Sequence, residues 1–173
     1  TSSIQYTVSG TDGNACNATD SIMVTVIPTP AVAISSTNVT CNGGNDGLAS
    51  ATANGGTTPY TYIWSNGVTA PNIGGLIAGT YTITLTGGNG CTDIDSVIIT
   101  QPPAFNDSSS ITDISCNGLT DGTTTITLSG GTPPYSYNWG INASYQTTAT
   151  ATGLSAGAYN VTSSDANGCS IVS

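Results

Sequence analysis

The chain contains no lysine, arginine, histidine or glutamate. Its nine charged side chains are all aspartate, 5% of residues, and the net charge is −9; about a quarter of residues are charged in an ordinary soluble domain. Each absence removes a class of function. Without cations there is no electrostatic source for binding a phosphate backbone, so no nucleic-acid partner is expected. An anionic membrane surface would repel the chain for the same reason. Without imidazole or glutamate the usual general bases are missing, and only Asp, Tyr and Cys remain. No residue combination offers a nucleophile beside a base, so the chain is not expected to be an enzyme. A lysine-based isopeptide crosslink is impossible. No window of 18 consecutive apolar residues exists, so no transmembrane helix and no direct membrane insertion are expected. Thr1-Ser2-Ser3-Ile4 has neither the basic start nor the apolar run of a secretion signal.

What is present is strand and turn chemistry. Val, Ile, Thr and Tyr recur in short runs, separated by segments rich in Gly, Asn, Ser, Thr and Pro. These runs repeat. Cys41-Asn42-Gly43 returns as Cys116-Asn117-Gly118, and Asp46-Gly47 returns as Asp121-Gly122, both at an offset of 116 − 41 = 75. The run from Gly55 through Pro59, Tyr60 and Tyr62 to Trp64 returns as Gly130 through Pro134, Tyr135 and Tyr137 to Trp139. Gly79-Thr80-Tyr81 then matches Gly157-Ala158-Tyr159 at 157 − 79 = 78, so three residues are inserted between Trp139 and Tyr159 and a surface loop belongs there. At the front, Tyr6-Thr7-Val8, Cys16 and Asp20-Ser21 match Tyr81-Thr82-Ile83, Cys91 and Asp95-Ser96. The reading is three segments: 1–30 as the last strands (F–G) of one repeat, 31–104 as a whole repeat, and 105–173 as a repeat lacking its last strand.

Within the whole repeat, Val32–Ile34 reads as strand A, Leu48–Ala53 as B, Tyr60–Trp64 as C, Asn72–Leu76 as E, Tyr81–Thr86 as F and Asp95–Thr100 as G. On C, Tyr60, Tyr62 and Trp64 share one face by the two-residue period of a strand. Gly87-Gly88-Asn89-Gly90 carries the Asn-Gly hairpin signal. Short strands at this spacing argue for a sandwich, and no segment has helical periodicity. A Trp on C, together with Leu76-Ile77-Ala78-Gly79-Thr80-Tyr81 and Leu154-Ser155-Ala156-Gly157-Ala158-Tyr159 as tyrosine corners, points to an all-β fold of tandem immunoglobulin-like or fibronectin-like sandwiches.

The combination Cys-Asn-Gly, Asp-Gly, Gly-Gly-Thr-x-Pro-Tyr-x-Tyr-x-Trp, Leu-x-Ala-Gly-x-Tyr and Asn-Gly-Cys resembles the SprB repeat, found in very long surface proteins of gliding Bacteroidetes. The resemblance covers residues 31–173, with 1–30 as a repeat end. It implies an extracellular filamentous adhesin on the bacterial cell surface, with a link to gliding motility and type IX export. In that setting these repeats are a spacer or stalk whose partners are neighbouring repeats of the same filament. The alternative is a lectin-like module that binds carbohydrate through the 140–158 loop, where Tyr145 could stack on sugar.

Five cysteines in such an array suggest an oxidising compartment. If each repeat owns two, Cys41 pairs with Cys91 and Cys116 with Cys169, leaving the partner of Cys16 outside the chain. This pairing is favoured, although the A–B and F–G turns of a sandwich lie at opposite ends. Two others are equally periodic: Cys16 with Cys41 and Cys91 with Cys116, or the A–B turn of one repeat with the F–G turn of the next, as Cys41 with Cys169. No metal or other cofactor is expected. Asp165-Ala166-Asn167-Gly168 and Asp12-Gly13-Asn14 have the oxygen spacing of a Ca²⁺ loop, but the matching middle position is Gly87, and turn chemistry explains all three. Asp46 and Asp121 precede glycine and read as turn formers. Bacteroidetes O-glycosylation uses Asp, then Ser or Thr, then an apolar residue. Ser21 and Ser96 fit that pattern at the same place in two repeats, so covalent glycans are expected there.

Overall fold

The computed structural model describes residues 3–173. Among them the chain is all strand apart from one 3₁₀ turn, η1 (Ile141–Ala143). The strands are β1 (Ile4–Thr11), β2 (Asn17–Val24), β3 (Pro30–Thr37), β4 (Gly47–Gly55), β5 (Thr61–Trp64), β6 (Asn72–Leu76) and β7 (Gly79–Thr86). They continue as β8 (Thr92–Ile99), β9 (Asn106–Thr112), β10 (Gly122–Ser129), β11 (Ser136–Trp139), β12 (Thr150–Leu154), β13 (Val161–Ser164) and β14 (Ser170–Val172). After the β1–β2 hairpin, one pattern occurs twice. Strands β3, β4 and β6 form one sheet and β5, β7 and β8 another; β9, β10 and β12 then pair as β3, β4 and β6 do, and β11, β13 and β14 as β5, β7 and β8 do. This is the A-B-E and C-F-G division of an immunoglobulin-type sandwich.

Contacts gather the chain into two compact units whose limits cut across the sequence repeat. The first takes residues up to Ser35 with Ser50–Ile73 and Tyr81–Val97; the second takes Ser36–Ala49, Gly74–Thr80 and Ile98–Ser173. In the first unit, β5 and β7 align Trp64 with Ile83 and Tyr62 with Leu85. Trp64, Ile83 and Leu85 are buried while Thr61 and Ile63 are exposed, as the alternation on C requires. The Trp64 indole N–H donates to the Ala70 carbonyl (3.0 Å), which settles the one polar atom of an otherwise apolar burial.

The core of the second unit's last six strands joins Ile126, Trp139, Ala143, Ala151, Leu154 and Val161. Trp139 donates to the Thr148 carbonyl (2.9 Å), the counterpart of the Trp64 bond. The Tyr159 hydroxyl donates to the Ser155 carbonyl (2.8 Å) four residues back, which is the expected tyrosine corner. The expectation that this repeat lacks its last strand is corrected in part. Ser170 and Val172 pair with Ser164 and Thr162, so β14 stands in that strand's place beside β13. Beside it lies a groove of about 510 Å³ lined by Ile111, Ile114, Trp139, Leu154 and Val161 among others.

Candidate functional site: the junction between repeats

The second unit contains a turn from one repeat and a turn from the next, joined covalently. The first is the segment before β4. Asp46 holds it, its Oδ1 accepting the Thr40 amide (3.0 Å). The Thr40 side chain and backbone, in that order, hold the Asp46 carboxyl below its ordinary 3.8. The far end of β8 anchors the turn: Val39 N–H donates to the Thr100 carbonyl, and Thr100 N–H donates to Asn38 Oδ1. The linker then caps it. The Gly43 amide donates to Gln101 Oε1 and the Asn42 side chain to the Pro102 carbonyl, each at 2.9 Å.

The second turn, between β13 and β14, is built around Asp165. That side chain is 6% exposed. Its Oδ1 accepts the Asn167 and Cys169 amides (2.9 Å each), and its Oδ2 accepts the Thr132 amide (2.8 Å). Burial pushes this carboxyl up; the amides of Thr132, Cys169, Asn167 and Gly168 pull it further down, to below 3.8. The carboxylate therefore works here as an acceptor for backbone donors, which is the turn chemistry expected of this motif.

The Gly-Gly-Thr-x-Pro-Tyr run, the specific part of the sequence pattern, props this turn. Gly130 and Gly131 sit at φ 74 and 59, as Gly55 and Gly56 sit at 64 and 68, a left-handed backbone that favours glycine. The reversal brings the Tyr135 hydroxyl back to donate to the Gly130 carbonyl (2.7 Å); Tyr60 donates to Gly55 in the same way. The linker lies against the glycines, with Gly131 N–H donating to the Pro103 carbonyl (3.0 Å) and Phe105 stacked on Tyr135. The Thr132 carbonyl accepts the Ala166 amide (2.8 Å), just as Thr57 accepts that of Gly88 (2.7 Å).

Cys41 and Cys169 are disulfide-bonded across 128 residues of sequence, with Cα atoms 5.7 Å apart. Beside the bond, the Asn167 side chain donates to the Thr40 carbonyl and to Thr132 Oγ1 (3.1 Å each). The favoured pairs Cys41–Cys91 and Cys116–Cys169 are thus corrected: Cys16, Cys91 and Cys116 are free thiols. The reason is strand length. Cys91 precedes the start of β8 while the Cys41 turn is bonded to its end. Eight residues of strand span roughly 25 Å, against about 7 Å at most for a disulfide.

Other expected sites lie elsewhere. Tyr145 is 61% exposed. It follows η1 at φ 55, in a loop closed by Gln146, whose side chain bonds to Thr152 N–H and carbonyl. Ser21 and Ser96 are exposed on β2 and β8, and the preceding Asp20 and Asp95 each accept the serine amide at 2.8 Å. The junction residues Asn167, Asp165, Gln101 and Pro102 were not singled out as a group from sequence. The available signal was an Asn two residues before Cys16, Cys91 and Cys169 alike.

No curated protein matches the chain. Among solved structures it is similar to the crystal structure of Down Syndrome Cell Adhesion Molecule isoform 1.30.30, N-terminal eight Ig domains, with 13% identity and a TM-score of 0.51. That similarity covers 98% of this chain and 27% of the other, and it shows the immunoglobulin-type fold alone. The family model of the SprB repeat matches residues 33–69 and 108–143, the stretches from β3 through β5 and from β9 into η1. The chain thus carries two immunoglobulin-type sandwiches, a turn of one bonded to a turn of the next, and each contains a stretch that matches the SprB repeat.

Proposed function

We propose that this chain is a spacer segment of a long extracellular adhesin filament, in which stacked repeats supply length and carry no catalytic role. The observation that carries this reading is the Cys41–Cys169 bond, which links successive repeats rather than closing either one. A disulfide of that kind belongs to an oxidising compartment outside the cytoplasm, and a linkage between repeats serves a rod more directly than it serves a binding pocket. The repeat boundaries near 30 and 104 are the joints of that rod. Its partners are its own neighbouring repeats, and its turns need no metal, since their carboxylates are occupied by amides. Ser21 and Ser96 are the positions proposed for O-linked glycans. Both lie on strand surfaces of a chain with no lysine to discourage edge-to-edge pairing.

Antibody labelling of intact cells tests the location: labelling without permeabilisation is expected, and labelling only after lysis rejects a surface filament. The exposure of Tyr145 on an ordered loop favours one second reading, a carbohydrate-binding module. Glycan-array binding by the chain and by Tyr145→Ala separates the two. Absent or unchanged binding removes the lectin reading; loss of a specific signal would replace the spacer reading with it.

A further inference from the structure

The three free thiols are not scattered. Cys116 stands at the position of Cys41, at 116 − 41 = 75, while Cys16 and Cys91 stand at the position of Cys169, at 169 − 91 = 78 and 91 − 16 = 75. Each sits in a turn already held as its bonded counterpart is held. Around Cys116, Asp121 accepts the Ser115 amide (3.0 Å) and hydroxyl (2.6 Å), as Asp46 accepts the Thr40 amide. Around Cys16, Asp12 Oδ1 accepts the Asn14 and Cys16 amides (2.8 and 2.9 Å), as Asp165 does for Asn167 and Cys169. Around Cys91, where glycine replaces that aspartate, Asn89 Oδ1 accepts the Cys91 amide, and the turn rests on Thr57 as its counterpart rests on Thr132. Pro30 lies against Gly56 at this end, as Phe105 lies against Gly131 at the other. The asparagine that docks on Thr40 is repeated as Asn14 and Asn89, and Ser115 stands where Thr40 does. Cys16 and Cys116 are exposed and Cys91 half-buried.

We propose that Cys16, Cys91 and Cys116 are half-sites of the same crosslink seen at Cys41–Cys169, each taking its partner thiol from the complementary turn of another SprB repeat one place along. Every repeat is thereby stapled to the next, and no repeat closes a disulfide within itself. Each bond forms when two thiols give up two protons and two electrons, and a low-molecular-weight disulfide such as oxidised glutathione is reduced to two thiols in exchange. This rests on the tandem-repeat reading above.

The test is to lengthen the chain by one repeat, with residues 30–104 present twice in tandem, and to fold it beside the original in a glutathione redox buffer. Free thiols are counted by alkylation and mass, and bonds are mapped by proteolysis. The original has three free thiols. The added repeat brings two cysteines, yet the lengthened chain is expected to keep three free thiols. Its first Cys41 should be bonded to the Cys91 of the inserted copy, and its second to Cys169. Cys91→Ser in the inserted copy should then release one Cys41 thiol, whereas Cys91→Ser in the original chain should release none. Two additional free thiols, or a bond between Cys41 and Cys91 of one repeat, would overturn the proposal. If the original chain itself fails to form Cys41–Cys169 under oxidising conditions, the tandem reading fails instead. Native tryptophan fluorescence from both chains ensures that folded protein is being counted.

Discussion

At the scale of single residues, aspartate does the work that several residue types share elsewhere. Three carboxyls, Asp46, Asp121 and Asp165, are held below 3.8 by hydrogen-bond donors in their own turns and, for Asp165, also by the Thr132 amide of the neighbouring turn. Because the folded values are depressed, their contribution to stability is complete above 3.8 and is lost as the pH falls through the lower folded values. Thermal unfolding followed between pH 7 and pH 2 should be flat to about pH 4 and then fall. Asp165→Ala should lower the urea midpoint more than Asp46→Ala does, since it strands the Thr132, Asn167 and Cys169 amides around a buried position. The indole rings give a second check. Trp139 is 2% exposed in the core and bonded to Thr148, so Trp139→Ala should cost roughly 3–5 kcal/mol, measured by chemical denaturation.

At the scale of elements, the strands were legible because their signals are local. Alternation placed β5, the tyrosine-corner spacing placed the start of β13, and Asn-Gly placed the turn after β7. β6 spans Asn72–Leu76 as expected. The disulfide was legible only as one of three periodic pairings; the choice among them was not, because it rests on a linker whose hydrogen bonds to the Cys41 turn leave no periodic trace. Gln101 and Pro102 read simply as loop residues. The Gly-Gly run had a pattern but no visible purpose, and the structure supplies one. A Cβ on Gly130 would stand 1.8 Å from the Ala104 carbonyl oxygen, at a φ of 74. Gly118, at φ 88, has open space around it. Gly118→Ala should therefore cost only the left-handed backbone, roughly 1–2 kcal/mol. Gly130→Ala should cost distinctly more and displace the linker, which slower formation of Cys41–Cys169 on oxidative refolding would report.

At the scale of the whole molecule, the repeat is visible in sequence as a period, whereas the junction exists only where two periods meet. In a chain-entropy account, closing a loop of 128 residues contributes roughly 5 kcal/mol. Cys41→Ser should lose about that amount from the transition that unfolds the last six strands, read by denaturant titration with and without reductant. Cys16→Ser, at a free thiol in this chain, should leave the titration unchanged.

The position of the Cys41–Cys169 bond also decides how the chain bears tension. A pull applied at the two ends enters at Cys41 and leaves at Cys169 through sulfur, so the stretch between them, a sequence separation of 128, carries almost none of the load. Even if those strands come apart under force, that stretch cannot lengthen. At about 3.5 Å per extended residue, the bond withholds roughly 450 Å of contour length that reduction would release. Stretching single molecules before and after adding a reductant would show that extra length directly. A run of repeats joined this way behaves as a tether whose length is set by covalent bonds rather than by the stability of its sandwiches.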